Sequence, residues 1–186
     1  MKAMKFTLKI TKILFIFLGL SVSSLFAADN EGGSPTHKIL IAYFSHSGNT
    51  RAVAEQIKNT LKADIFEIKT VKPYPEDYNT VVDQAKEELH SGFKPELLTK
   101  VENLSRYDVI FIGYPNWWSS VPAPVRVFLS DNDFSGKTLV PFCTQGGGGS
   151  GNSFKDIAKF CPKSTLLKGI AIPGSEAKTS QDTLAE

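Results

Sequence analysis

Apolar residues along the chain alternate between unbroken runs and stretches that recur at helical spacing. KILIAYF (38–44) and YDVIFIGY (107–114) are continuous apolar runs, the pattern of strands buried on both faces. KTLVPFCT (137–144) reads the same way apart from Pro141, and TLLKGIAI (165–172) supplies a last strand. DIFEI (64–68) alternates and predicts a shorter strand. Between these runs, Val53, Ala54, Ile57 and Leu61 form one helical stripe, and Tyr78, Val81, Val82, Ala85 and Leu89 form a second. Val125, Phe128 and Leu129 mark a third helix, whose first turn tolerates Pro122 and Pro124. Phe154, Ile157 and Ala158 mark a short fourth. Thr70 to Arg106 is long for one crossover, which predicts a helix around 78–90 plus an extended excursion carrying Pro73, Pro75 and Pro95. Strand–helix alternation of this kind predicts an α/β domain: an open parallel sheet covered on both faces through right-handed crossovers.

The first 27 residues stand outside this pattern. Four lysines (Lys2, Lys5, Lys9, Lys12) precede ILFIFLGL (13–20) and then the small-residue stretch SVSSLFAAD. Positive, then apolar, then small is the order of a secretory signal peptide, here 1–27, with the cut after Ala27 or Ala28. The alternative is an uncleaved membrane anchor, for which the apolar run is short of the ~20 residues a span needs. Residues 28–36 read as a flexible polar linker and 37–186 as the folded domain. The leader also distorts the charge. The chain has 21 basic and 19 acidic residues; without the four leader lysines the balance is 17 to 19, about −2. That excludes a basic nucleic-acid-binding surface, and the expected partners exclude a membrane once the leader is cut.

In open parallel sheets, ligands sit beyond the carboxyl ends of the strands. Beyond the first strand come Ser45, His46, Ser47, Gly48, Asn49 and Thr50, leading straight into a helix. Unpaired helix-start amides, a positive dipole end and hydroxyl donors make an anion site. No lysine followed by Ser or Thr comes after the glycine, and one glycine replaces the three of a dinucleotide fingerprint. A phosphomonoester fits better than a triphosphate, the alternative being a merely well-capped helix. Beyond the second long strand come Pro115, Asn116, Trp117 and Trp118. Beyond the third come Thr144, Gln145, Gly146, Gly147 and Gly148, opening a run with five glycines in six residues. Adjacent tryptophans in a loop suit a flat aromatic ligand, and glycines let backbone amides approach one closely; core packing and a floppy linker are the respective alternatives. Phosphate grip, aromatic wall and amide rim together describe an FMN site. Asn116, tolerant of positive φ, is the expected flexible point of the middle loop.

Those three stretches, with Y-P-x-x-Y at 74–78, resemble the flavodoxins: S-x-S-G-N-T, G-Y-P-x-W-W and P-F-x-T-x-G-G stand in register from His37 to about Gly174. The resemblance implies a flavodoxin-like five-stranded sheet in the order 2-1-3-4-5 and tight, non-covalent FMN. It places Ser45 to Thr50 at the phosphate, Pro115 to Trp118 against the isoalloxazine, and Thr144 to Gly148 at its pyrimidine side. The chain departs from the family at its end, because 175–186 (SEAKTSQDTLAE) is almost without apolar residues and the last helix is expected to be short or missing.

No nucleophile, metal cluster or acid–base pair stands beside the three loops, so redox chemistry would belong to the cofactor. The expected function is an electron carrier in the cell envelope, exported to the periplasm, exchanging electrons with a partner protein or small acceptor. The alternatives are an NAD(P)H-dependent flavin or quinone reductase and a non-redox FMN-binding module. His46 is either an extra phosphate donor or a solvated loop histidine. Tyr74 and Tyr78 are expected to pack over the excursion, ligand contact being the alternative. Cys143 and Cys161 are expected to stay unpaired, because the fourth helix carries them to opposite edges of the sheet.

Overall fold

The computed structural model describes residues 37–178. The expected leader, the linker and the last eight residues of the polar tail (179–186) lie outside the described residues. Within them the elements run β1 (Ile39–Tyr43), α1 (Asn49–Leu61), β2 (Asp64–Glu67), α2 (Tyr78–Ser91), a 3-10 turn (Leu104–Arg106), β3 (Val109–Pro115), α3 (Ala123–Asp131), β4 (Thr138–Gln145), α4 (Ser153–Phe160), β5 (Thr165–Leu166), β6 (Ile170–Pro173) and α5 (Gly174–Ala177). The strands pair in parallel in the order β2-β1-β3-β4-β5, with β6 also on β4.

Strand residues alternate between two helical layers. Leu40, Ala42, Ile110, Ile112, Leu139 and Cys143 pack with Val125, Phe128, Leu129 and Ile157 of α3 and α4. Ile41, Phe111, Val140 and Phe142 are equally buried on the other side, beneath α1 with its Val53 and Ile57. This double burial is why the sequence shows unbroken apolar runs. Gly113 sits beside Phe142 in the β3–β4 register, and a Cβ there would lie 2.1 Å from the Phe142 ring. The glycine makes room for a flat ring to lie across its backbone.

The expected fifth strand is broken in two. Thr165 and Leu167 donate to Lys137 O and Leu139 O, so alternate residues of β4 offer their backbone groups to this edge. The next residue in that series is Pro141, which has no N–H to give. Pairing lapses opposite it and resumes at Phe142↔Ile170. A Cβ on Gly169, inside the gap, would lie 2.7 Å from Pro141 and from Phe154.

The long excursion contains α2 as expected, capped by Asp77, whose carboxylate accepts from Thr80 N at 2.8 Å. Its flanks are stitched by Val71 N to Glu96 O and Leu98 N to Lys69 O. Two residues of the expected stripes are outside the core: Tyr78 begins α2 at 76% exposure and Ala158 is exposed. α5 is a single turn, yet it buries Ala177 completely and takes the Gln56 side-chain amide on the Ala177 carbonyl at 3.0 Å.

Both cysteines are free and buried. Burial pushes the Cys143 thiol up to about 12 and the Cys161 thiol to about 11. Both thiols therefore stay protonated in the folded chain at pH values where an unfolded thiol, near 8.5, ionises. Stability from this source is full below that value and falls as pH rises toward 11–12. Two thiols should titrate rapidly with a chromogenic disulfide reagent after denaturation at pH 8, and neither at a comparable rate in the native protein.

Candidate functional site

β1 delivers its last backbone bond at Phe44, whose amide donates to Gly113 O at 2.9 Å. The chain then turns through Gly48, at φ 85, into α1. The Ser45 hydroxyl accepts from Arg51 N at 3.2 Å and caps the helix from six residues back. Among the described residues, the amides of His46, Ser47, Gly48, Asn49 and Thr50 donate to no acceptor. Five unengaged amides cluster at a helix start, with the positive end of the helix dipole beside them. His46 is not a solvated loop residue. Its half-buried ring donates from Nε2 to Pro75 O at 2.7 Å and meets Trp117 edge-on at 6.0 Å. A carbonyl can only accept, so Nε2 carries the proton. Arg51 donates to Glu67, which also meets Lys69 at 3.2 Å, so the cation nearest the loop is already paired.

The middle loop starts where β3 and β4 end, with Asn116 N donating to Thr144 O at 2.8 Å. Trp117 to Ser120 then close a tight turn, Ser120 N to Trp117 O at 3.0 Å. The left-handed backbone expected at Asn116 lies instead at Trp118 (φ 51) and Ser119 (φ 59). Two such residues cost roughly 1–2 kcal/mol each and persist where neighbours over-determine them. Asn152 N donates to Ser119 O at 2.8 Å, and the Trp118 indole N–H donates to Val82 O of α2 at 2.9 Å. Lys86 lies over the Trp118 ring at 5.1 Å. Trp118 remains 47% exposed, whereas Trp117 is half-buried against Phe44 at 5.5 Å and Tyr74 at 5.2 Å.

The third loop is shaped by Gln145, whose Oε1 accepts from the Gly147 and Gly149 amides. Gly146, Gly147 and Gly148 are exposed, and a Cβ on any of them would meet open space. At its root, the buried Thr144 hydroxyl pairs with the buried Thr50 hydroxyl at 2.9 Å. The structure thus brings the three predicted loops to one sheet edge and joins them: 45–50 to 144 through threonines, 116 to 144 through backbone, and His46 to Trp117 through rings.

Sequence reasoning left two supports unassigned. Phe44 appeared as the end of a strand and Gly151 as one glycine among several. Phe44 turns out to be a wall of the aromatic cluster, and Gly151 lies directly under Ser119. Tyr74 completes that cluster, and its hydroxyl donates to buried Glu88 at 2.6 Å. Burial and the adjacent carboxylate raise this phenol well above its usual range, so it stays protonated.

The flavodoxin family model matches residues 38–186. The chain belongs to the flavodoxin family. This flavodoxin-family chain is similar to a candidate flavoprotein from Bacteroides eggerthii, at 33% identity over 80% of this chain and 98% of that one, with a TM-score of 0.67. A second, from Bacteroides uniformis, shares 30% identity over 81% and 99%, at 0.69. A flavoprotein from Lactobacillus acidophilus, solved in complex with FMN, has the same fold at 23% identity and 0.63, covering 78% of this chain and 99% of that one. No curated protein sequence matches the chain.

The strained turn of this flavodoxin-family chain gives a direct test. A Cβ on Gly151, itself at φ 54, would lie 2.4 Å from Ser119 Cβ and 2.6 Å from its Cα. Gly151→Ala should lower stability by about 1–3 kcal/mol in denaturant unfolding followed by tryptophan emission. An unchanged midpoint would show that Ser119 is not held from below.

Proposed function

We propose that this flavodoxin binds FMN across Ser45–Thr50, Pro115–Trp118 and Thr144–Gly148, and works as an exported electron carrier of the cell envelope. The observation that carries the reading is the set of five unengaged amides at residues 46–50, which fits a phosphate and needs no cation. Ser47 is exposed beside them and adds a hydroxyl. In the Thr50–Thr144 pair one hydroxyl donates to the other, leaving the acceptor's own proton for a ligand oxygen. Trp117 and Trp118 supply an aromatic wall, and the Gly146–Gly148 backbone a rim open to solvent. Bound FMN supplies one- and two-electron chemistry; the protein binds it, orients it and sets how much of it meets water.

The carrier reading is favoured by the solvent-facing rim, where a partner protein can approach: Trp118 and the three glycines are all exposed. The order of basic, apolar and small residues in the leader supports export, with the periplasm as destination. The reductase reading has one observation of its own. A cleft of about 350 Å3, lined by Val71, Gln84, Glu88, Phe93 and Pro95, borders Tyr74, whose ring touches Trp117. It offers room for a small acceptor.

Two measurements test the cofactor site and the choice between carrier and reductase, in that order. If the amides hold the phosphate, each charge-assisted bond is worth about 1.5–3 kcal/mol, so riboflavin should bind at least roughly tenfold more weakly than FMN in a fluorescence titration. Equal affinities would defeat the phosphate assignment. The purified flavoprotein should show no steady-state oxidation of NADH or NADPH with a quinone present; turnover would favour the reductase.

A further inference from the structure

Asn116 stands where two of the three loops cross. Its backbone amide extends the β3–β4 ladder to Thr144 O, and its side-chain Nδ2 donates to Gly149 O at 2.6 Å. Gly149 O can only accept, so the amide nitrogen must face it and the orientation of the side chain is settled. Its other end, Oδ1, is buried and has no hydrogen-bond partner among the described residues. A buried carbonyl acceptor left unpaired is rare in folded proteins. The Gly147 and Gly149 amides of the loop that Asn116 braces are both taken by Gln145 Oε1. The described chain itself therefore supplies no donor to this atom.

We propose that Asn116 Oδ1 accepts the imide N–H of the flavin's pyrimidine ring, making Asn116 the residue by which this site selects an unsubstituted imide. This rests on the FMN reading. The ring chemistry narrows the choice of donor. In the oxidised isoalloxazine the carbonyl oxygens, N1 and N5 are acceptors, N10 is substituted, and the imide nitrogen carries the one N–H of the ring. An acceptor placed to meet the oxidised ring therefore has that single group to pair with. Any flat ligand with the same acceptor–donor–acceptor edge belongs to the class the site would take; one whose imide nitrogen is alkylated does not.

The test compares FMN with N3-methyl-FMN on the full chain, by quenching of flavin emission or by calorimetry. Wild-type protein should prefer FMN by roughly tenfold or more, the cost of leaving a buried acceptor unpaired. In Asn116→Leu the preference should shrink to near unity, because the acceptor is gone while bulk is kept. Asn116→Asp keeps an acceptor but loses the donor to Gly149, and should retain the preference. Circular dichroism of each apo-protein confirms that the variants are folded. Equal affinities in the wild type, with FMN bound tightly, would overturn this assignment alone. So would a preference that persists in Asn116→Leu, or one lost in Asn116→Asp, which would show Asn116 acting through Gly149. Failure of the wild type to bind FMN at all would overturn the cofactor reading as well.

Discussion

The candidate site depends on the parallel register of β1, β3 and β4. Tyr43 stands beside Gly113, Tyr114 beside Cys143, and Pro115 beside Thr144. Because these strands run the same way and end at nearly the same level, their three following loops have nowhere to go but one edge. The register is fixed by burial on both faces, since a one-residue slip would exchange every residue between the α1 layer and the α3–α4 layer. Gly113 sharpens this. It is the one position of β3 where the Phe142 ring can lie across the neighbouring strand, and any other alignment would drive that ring into a side chain.

Given that edge, the loops differ in how they are held, and the difference matches their chemistry. The 45–50 loop is tied at its ends by Ser45 and Thr50 and leaves its amides free. The 144–151 loop is shaped from inside, through Gln145. The 116–120 turn is strained at two consecutive residues and clamped from α2, from the 152 amide and from beneath by Gly151. Strain of this kind is tolerated where the surroundings allow no other conformation. Here they include α2, an element far from the loop in sequence.

The long strands and helices were legible because burial on both faces writes itself as unbroken apolar runs. The sheet order came from the resemblance to the flavodoxins and not from the apolar pattern. The shortfalls have physical reasons. The split of the fifth strand depends on which edge Pro141 faces, and that follows from register rather than from the presence of a proline. Asn116 was expected to carry positive φ on the strength of its own tolerance, yet Trp118 and Ser119 carry it. The indole finds Val82 O, and the turn closes on Ser120. Tertiary partners outweighed the local preference. His46 shows the same limit: its role comes from Pro75 and Trp117, which no local pattern connects to it. The expected placement of Ser45–Thr50 needed only a strand, a glycine and a helix start, all contiguous in the chain.

The Thr50–Thr144 contact has a consequence for how the site behaves as a whole. Both hydroxyls are buried, so neither can exchange its partner for water without a cost comparable to a lost hydrogen bond. Thr50 lies in the first turn of α1 and ends the 45–50 loop; Thr144 carries the backbone carbonyl that accepts from Asn116. A ligand oxygen that draws the free proton of this pair therefore acts on the root of the glycine loop and on the start of the tryptophan turn together. On the proposed reading, loops joined through the Thr50–Thr144 pair and the Asn116–Thr144 backbone bond would not tune phosphate and ring contacts independently. A ligand that presents phosphate and ring at once would, on the proposed FMN reading, engage all three loops, and one bound by either end alone would not.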